Sequence, residues 1–230
     1  MILALLTGRG GSSYKNKNIL KINKKPILGY PCAAAKKVKK IQYFYASSND
    51  DKILSAAKKY GFYPIKRPEK YSRSNSKHYD VLVHAIKKLH SKNVRPKIIV
   101  VLLANAPIIR TEWINKCINK LIRNKATAVV PVIKDNDKHP FRSKKKEKGV
   151  LIPYFISKKK VSSNRQDLKT SYFLCHNFWV IKTEAILKND GFPPWNFMGK
   201  KVFPYEISHS HDIHNKFDME ICKIILKKFS

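Results

Sequence analysis

Short, uninterrupted apolar runs that alternate with helix-patterned segments constrain this chain more than any other feature. The run at residues 2–7 and the run at residues 98–103 are continuously apolar, as expected of strands that are buried on both faces. Between such runs, apolar residues recur at helical spacing, for example over residues 27–37 and 78–91. This alternation predicts an α/β fold.

The same patterns predict the remaining elements and the domain organisation. Further strands are predicted at 42–46, 128–133, 172–182 and 202–207. One helix is predicted to be capped by Asn49 or Asp50, and another by Thr111. A last helix is predicted over 216–228, with Phe217, Ile221, Ile224 and Ile225 on one, inward-facing side. No internal repeat or linker divides the chain. We therefore expect one domain, residues 1–230, with the lysine-rich segment 134–170 projecting from it.

The charge balance favours anionic partners but does not identify a particular one. Lys and Arg total 48 and Asp and Glu total 15, so the net charge is +33. The lysines are spread along the whole chain, which leaves two interpretations open, an ordinary solvated surface and a polyanion-binding surface. The sequence carries no zinc-finger, helix-turn-helix or RNP motif, so no specific nucleic-acid partner is predicted. No apolar run reaches the ~18–20 residues of a membrane span, and we expect a cytoplasmic protein without a membrane partner.

The segment TGRGGSSYKNKN, residues 7–18, follows the first strand and carries the most chemical information. Its three glycines allow the backbone to bend and to approach a ligand closely. Freed backbone N–H groups can form an anion-binding concavity there, and Arg9 and Lys17 add positive charge. The spacing matches neither GxGxxG nor GxxxxGK[ST]. The segment predicts a polyphosphate-binding loop, with an ordinary glycine turn as the alternative.

The chain resembles the acylneuraminate cytidylyltransferases in motifs that follow one another in the family's order. The opening LLTGRGGSSYKNKNILKINKKPILGY is similar to the family's N-terminal signature, and ASSND, RPE at 67–69, LLANAPIIRT, NRQDL and HDIHNKFDMEICKIIL resemble its later segments. The resemblance implies a three-layer α/β/α, Rossmann-like nucleotidyltransferase fold with a mostly parallel sheet. It also implies a homodimer formed through the projecting segment.

The activity that the resemblance implies is transfer of CMP from CTP to the anomeric hydroxyl of a nonulosonic, sialic-acid-like 2-keto sugar acid, with release of pyrophosphate. A cytidylyltransferase for the eight-carbon acid Kdo is the enzymatic alternative. A basic nucleic-acid-binding protein without catalysis and a lapsed family member that only binds nucleotide are the others.

The resemblance assigns the nucleotide to the glycine-rich segment. Arg9 and Lys17 are expected to hold the triphosphate and, with Asp212, to be the catalytic residues. The expected nucleotide-binding set is Gly8, Arg9, Gly10, Gly11, Ser12, Asn18 and Arg67.

The acidic end of the site is expected in the segment that precedes the last helix. Transfer at the α-phosphorus calls for Mg²⁺, which prefers oxygen ligands. Where the family has two aspartates two residues apart, this chain has Asp212 and His214, and both are expected to lie at the metal. His209 and His211 are close by in sequence, so a transition-metal site and a purely structural loop remain alternatives.

The sugar-binding residues are the least typical of the family. Asn105 stands next to the family's glutamine position, Arg165 fits the family arginine that pairs with a sugar carboxylate, and Asn177 fits a family asparagine. Ala104 replaces the family glutamine. This departure predicts an acceptor other than ordinary sialic acid.

Overall fold

The structure is a computed structural model of the 230-residue chain, and it describes residues 1–11, 14–157 and 160–228. The described strands are β1 (Ile2–Thr7), β2 (Lys21–Ile22), β3 (Lys25–Pro26), β4 (Tyr43–Ser48), β5 (Tyr63–Lys66), β6 (Ile98–Leu103), β7 (Ala128–Lys134), β8 (Lys144–Glu147), β9 (Val150–Pro153), β10 (Tyr172–Leu174), β11 (Phe178–Lys182) and β12 (Val202–Glu206). The helices are α1 (Gly29–Lys36), α2 (Asp51–Lys58), α3 (His78–His90), α4 (Thr111–Arg123), α5 (Thr183–Lys188) and α6 (Lys216–Lys227).

Eight of these strands form one sheet. Seven of them pair in the order β10-β7-β11-β6-β1-β4-β5, and the eighth, β12, also pairs with β7. β5, β4, β1 and β6 are parallel to one another, and β12 is parallel to β7. β11 runs antiparallel to both β6 and β7, and β10 runs antiparallel to β7. The sheet is therefore mostly parallel, which confirms the expected fold class.

Helices cover both faces of the sheet because its central strands are apolar on both sides. All six residues of β1 are buried. Ala4 and Leu6 face a core that α1, α2, α4 and α6 complete, whereas Leu3 and Leu5 face a second core that includes α3 and α5. Burying both faces of these strands against helices is the main stabilising contribution to a sheet of this kind. The result is the three-layer arrangement.

Two predictions about helix ends and faces are wrong. Thr111 is the first residue of α4 and not its cap, and its hydroxyl donates to the Ala34 carbonyl, which ties α4 to α1. On α6, Phe217 and Ile224 point into solvent, with 71% and 60% of their surfaces exposed. Met219 and Cys222 occupy the buried face instead. Of the two residues predicted to cap α2, Asp50 is the cap, since its side chain accepts from the Lys52 N–H.

The predicted strand at 172–182 is two strands, β10 and β11, separated by residues 175–177. Both pair with β7, but β11 pairs with its beginning and β10 with its end. The interruption between them lies next to the functional site. The short elements β5 and α5, which the periodicity of the sequence did not reveal, complete one edge of the sheet and one helical layer.

The segment 134–170 carries its own two-stranded sheet, the β8–β9 hairpin. Apolar side chains in and after the hairpin are exposed: Val150, Leu151, Tyr154, Phe155 and Ile156. In the part of the chain that the structure describes, no helix combines the length and the apolar character that crossing a membrane requires.

Candidate active site

A cleft opens where the parallel strands β1 and β6 end, which is where α/β sheets usually bind their ligands. Its volume is about 230 Å³. The residues predicted from sequence that line it are Gly8, Arg9, Lys17, Asn18, Arg67 and Asn105. The fold thus brings four separate stretches of the chain to one place.

The glycine loop after β1 is packed tightly, and the N–H groups of Gly8 and Gly10 are already engaged. The Gly8 N–H donates to the Ser47 carbonyl, and the Gly10 N–H donates to Asn49 Oδ1 at 3.0 Å. The expectation that these two N–H groups are free to bind an anion is therefore wrong, because neighbouring β4 and its following loop supply their acceptors. Ser12 lies outside the described residues.

The glycines are needed for close approach and for backbone conformation. A Cβ on Gly8 would lie 2.9 Å from Ala104 Cβ, and a Cβ on Gly10 would lie 2.8 Å from Asp50 Oδ2. Gly11 has a φ of +68°, which other residues rarely adopt. The loop therefore serves to bring the Arg9 and Lys17 side chains to the cleft.

Arg67 is the most enclosed cation of the cleft. Only 4% of its surface is exposed, its Nη2 donates to the Gly8 carbonyl at 2.6 Å, and its Nε donates to Ser72 Oγ at 2.9 Å. Burial, together with the nearby charge of Arg9, lowers its pKa to about 10. Arg67 therefore remains charged at neutral pH, and it lines the cleft.

Lys17 and Asn18 form the next part of the cleft wall. Burial lowers the pKa of Lys17, and the charge of Arg9 lowers it further, whereas the carboxylate of Asp212 raises it. Asn18 is almost fully buried and donates from Nδ2 to the Arg9 carbonyl at 3.0 Å. Asn18 thus fastens the glycine loop, while Lys17 connects it electrostatically to Asp212.

The segment before α6 reaches the same cleft from the far end of the chain. Asn105 Nδ2 donates to Asp212 Oδ2 at 3.4 Å, and the Ile213 N–H donates to the Asn105 carbonyl at 2.9 Å. A third link is the Tyr14 hydroxyl, which lies 3.1 Å from Met219 Sδ on α6. These contacts bring Asp212 to Asn105, just after β6, and its carboxylate is near enough to raise the pKa of Lys17.

His214 contacts Asp212 directly, since its Nε2 lies 2.5 Å from Asp212 Oδ2. The other two histidines of this segment have other partners: His211 bonds Asp218, and His209 bonds the Ser208 hydroxyl. Among residues 1–11, 14–157 and 160–228, no three His, Cys, Asp or Glu side chains are grouped so that they could hold a metal ion. The structure therefore does not favour the transition-metal interpretation. A single carboxylate at the edge of a cation-lined cleft fits Mg²⁺, which keeps several waters and would take phosphates of a substrate as further ligands.

Asp218 holds the beginning of α6. Its carboxylate accepts from the N–H groups of His214 and Asn215, and Asn215 Oδ1 accepts from the Asp218 N–H, which completes a capping box. Burial alone would raise the pKa of Asp218, but these N–H groups and the His211 ring outweigh it and lower that pKa. Asp218 therefore fixes the segment that carries Asp212.

Replacing Asp218 by alanine is expected to lower the free energy of unfolding at pH 7 by about 1 kcal/mol, as loss of a helix cap does. The melting temperature should fall by about 2–4 °C. Because the folded state depresses this pKa, the contribution is present above the unfolded-state pKa of about 4 and disappears as the pH falls through the folded-state value. Thermal melts from pH 3 to 7 would show the difference shrinking at the acid end. Glu220→Ala, an exposed change in the same helix, is the control, and an equal difference at every pH would contradict the assignment.

Two predicted sugar-binding residues lie elsewhere. Asn177 is fully buried, and its amide donates to the Ile108 carbonyl and accepts from the Phe178 N–H. Arg165 lies in the segment 134–170, where its Nη1 pairs with Asp137 Oδ2 at 2.6 Å. Neither side chain lines the cleft, because the break between β10 and β11 turns Asn177 inward and Arg165 lies in the loop beyond β9.

Sequence reasoning missed several residues that line the cleft, among them Tyr71, Arg73, Ser76 and His78. The His78 ring packs 5.1 Å from the Trp179 ring. Burial, with the charges of Arg67 and His176, lowers its pKa to about 4, so His78 is neutral at pH 7. No motif marked these residues. The available signal was their position after the RPE segment, up to and including the first residue of α3.

Comparison with known proteins agrees with this geometry. A family model described as Cytidylyltransferase matches residues 3–176. The chain is 26% identical over 228 residues to the pseudaminic acid cytidylyltransferase of Campylobacter jejuni, covering 98% of this chain and 96% of that protein. It is 24% identical over 207 residues to a Helicobacter pylori protein named pseudaminic acid cytidylyltransferase and UDP-2,4-diacetamido-2,4,6-trideoxy-beta-L-altropyranose hydrolase, and this match covers 89% of this chain but only 39% of that longer protein.

The fold is also that of known nucleotidyltransferases. A solved structure of CMP:2-keto-3-deoxy-manno-octonic acid synthetase complexed with CTP superposes with a TM-score of 0.72 at 12% identity, covering 100% of this chain and 99% of that one. At this level of identity the similarity concerns the fold. Because the family model matches most of its length, the chain belongs to the cytidylyltransferase family of enzymes.

Proposed function

We propose that this protein transfers CMP from CTP to the anomeric hydroxyl of a nonulosonic 2-keto sugar acid and releases pyrophosphate. The observation that carries the proposal is the contact of Asp212 with Asn105, a residue that lines the cleft together with Arg9, Lys17 and Arg67. A cation-lined cleft and a carboxylate from opposite ends of the sequence thus meet at Asn105.

The cations of the cleft suit a nucleoside triphosphate. Arg9 and Lys17 come from the glycine loop and the turn after it, and Arg67 from the end of β5. In transfer at phosphorus, catalysis consists mostly of positioning and of neutralising charge on the phosphate oxygens. Arg67 keeps its positive charge at neutral pH despite burial, because its pKa of about 10 lies well above 7.

Asp212 is the residue that would hold Mg²⁺, with His214 bound to the same carboxylate. The ion would neutralise charge on the triphosphate when bound. Asn105 donates to the Asp212 carboxylate and so orients it toward the cleft. His214 is largely exposed, and its side chain holds Asp212 from the solvent side.

The position of Asn105 supports the proposed sugar acceptor. This residue lies at the end of β6 and lines the cleft next to Asp212, where its amide can both donate to and accept from sugar hydroxyls. Asn177 acts indirectly, since it fixes the Ile108 carbonyl in the loop that follows Asn105. The relatives' names add that similar proteins act on pseudaminic acid, a nonulosonic acid.

A homodimer is proposed as well, through the projecting segment. The exposed apolar side chains at the β8–β9 hairpin support it, and Ile156 is 92% exposed in the single chain. Covering such a surface with a second copy would remove it from water.

The test is a pyrophosphate-release assay with CTP, UTP, ATP and GTP against pseudaminic acid, N-acetylneuraminic acid and Kdo. We expect turnover with CTP and at least one nonulosonic acid, and none without Mg²⁺. Turnover with Kdo alone would replace the proposed acceptor. CTP binding without turnover on any sugar would indicate a lapsed enzyme, and tight oligonucleotide binding without CTP binding would contradict the proposal altogether.

A further inference from the structure

Ser72 contacts two of the arginines that line the cleft, Arg9 and Arg67. Its Oγ accepts from Arg67 Nε at 2.9 Å, and its carbonyl accepts from Arg9 Nη1 at 3.4 Å. Only 3% of its surface is exposed. One small buried residue, outside every motif that the sequence revealed, therefore contacts both guanidinium groups.

The hydrogen bonds of Ser72 are used in both directions. The hydroxyl that accepts from Arg67 also donates to the Pro68 carbonyl at 3.4 Å, and the Ser72 N–H donates to the Glu69 carbonyl at 2.8 Å. These bonds close the turn between Arg67 and Ser72. The hydroxyl is thereby aimed at Arg67 Nε, while Arg67 Nη2 reaches the Gly8 carbonyl on the other side.

A second chain of bonds braces the same turn against the glycine loop. Glu69 Oε2 accepts from Asn49 Nδ2 at 3.0 Å, and Asn49 Oδ1 accepts from the Gly10 N–H. The turn and the loop are thus connected at two places. Arg67 is consequently held between them, although its burial and the nearby positive charge of Arg9 both disfavour its charged form.

We propose that Ser72 is a positioning residue that presets Arg9 and Arg67 for the triphosphate. This inference rests on the proposed function, because it takes the ligand of the two arginines to be the phosphates of CTP. Without the hydroxyl, Arg67 Nε has a buried N–H with no acceptor, and the guanidinium leaves its orientation to find one. The binding of a polyphosphate should then weaken, even in the absence of a sugar.

The experiment measures the affinity for inorganic tripolyphosphate and for CTP by calorimetry, and KM and kcat where turnover is present. Ser72→Ala is expected to weaken tripolyphosphate binding about tenfold, the effect of leaving a buried donor without its partner. KM for CTP should rise by a similar factor with little change in kcat. Ser72→Thr, which keeps the hydroxyl, should restore most of the affinity. Ser91→Ala, which removes a serine hydroxyl bonded to the Lys88 carbonyl at the end of α3, should leave the affinity unchanged.

A second variant pair separates positioning from folding. Arg67→Lys removes the Nε–H that Ser72 receives, so adding Ser72→Ala to it should cause no further loss of tripolyphosphate affinity. A full tenfold additional loss would overturn the proposal. So would a Ser72→Ala protein that melts at a lower temperature but binds tripolyphosphate normally, and so would a wild-type chain that binds neither ligand. Wild-type binding without any sugar turnover would refute the proposed function alone, since the affinities still test Ser72.

Discussion

Asp212→Ala is expected to reduce pyrophosphate release from CTP by about 10²–10³-fold, the effect of removing one preorganised electrostatic group from a catalytic site. Asp212 bonds Asn105, which lines the cleft together with the cations proposed to hold the triphosphate, and its charge raises the pKa of Lys17. Its loss removes the oxygen ligand proposed for Mg²⁺. The measurement is the rate of pyrophosphate release at saturating Mg²⁺, with Asp212→Asn tested in parallel.

The same variant should not lose nucleotide binding in the absence of metal. Removing a negative charge from a positively charged cleft lowers the repulsion of an anionic ligand, so CTP affinity without Mg²⁺ should stay the same or rise. Asp190→Asn is the matched control, because Asp190 forms only an exposed pair with Lys200. An Asp212→Ala enzyme with normal Mg²⁺-dependent turnover would contradict the catalytic assignment.

Arg67→Ala is expected to raise KM for CTP by about 10²-fold and to destabilise the chain. The substitution removes a buried cation and leaves the Gly8 carbonyl and the Ser72 hydroxyl without their donor. Hydrogen bonds to a charged group contribute about 1.5–3 kcal/mol each, and a factor of ten corresponds to about 1.4 kcal/mol. Steady-state kinetics and thermal unfolding would measure the two effects.

Arg95→Ala is the control for the loss of one positive charge from a chain of net charge +33, because Arg95 is exposed. If the nucleotide were attracted only by the overall positive field, both variants would weaken CTP binding slightly and equally. Added salt would then remove the difference in CTP affinity between each variant and the wild type. A KM for CTP that is the same in Arg67→Ala and Arg95→Ala would therefore show that Arg67 is not a specific phosphate ligand.

The prediction for Arg67 and the failure for Asn177 differ for a physical reason. Arg67 was predicted because RPE, a motif of consecutive residues, resembles a family segment, although periodicity did not reveal β5, the strand that precedes it. Asn177 also sits at a strand end, but β10 and β11 pair with opposite ends of β7. The bend between them turns the Asn177 side chain into the core. That pairing depends on β7, more than forty residues earlier in the chain.

The glycine loop shows the same division. Its glycines, its cations and its place after β1 are properties of consecutive residues, and they were predictable. The state of its N–H groups was not, because their acceptors are Ser47 and Asn49 on the neighbouring strand and loop. Free and engaged N–H groups look identical in a sequence.

By itself, the sequence determined the α/β class, the apolar strands at the centre of the sheet and the family, because each of these depends on periodicity or on residues close together in the chain. Only the tertiary structure decided that Asp212 meets Asn105, that Ser72 holds two arginines and that Arg165 pairs with Asp137 away from the cleft. These facts depend on which distant side chains share a buried space. Burial and hydrogen-bond partners are set by the packing of the whole sheet, and no local pattern contains them.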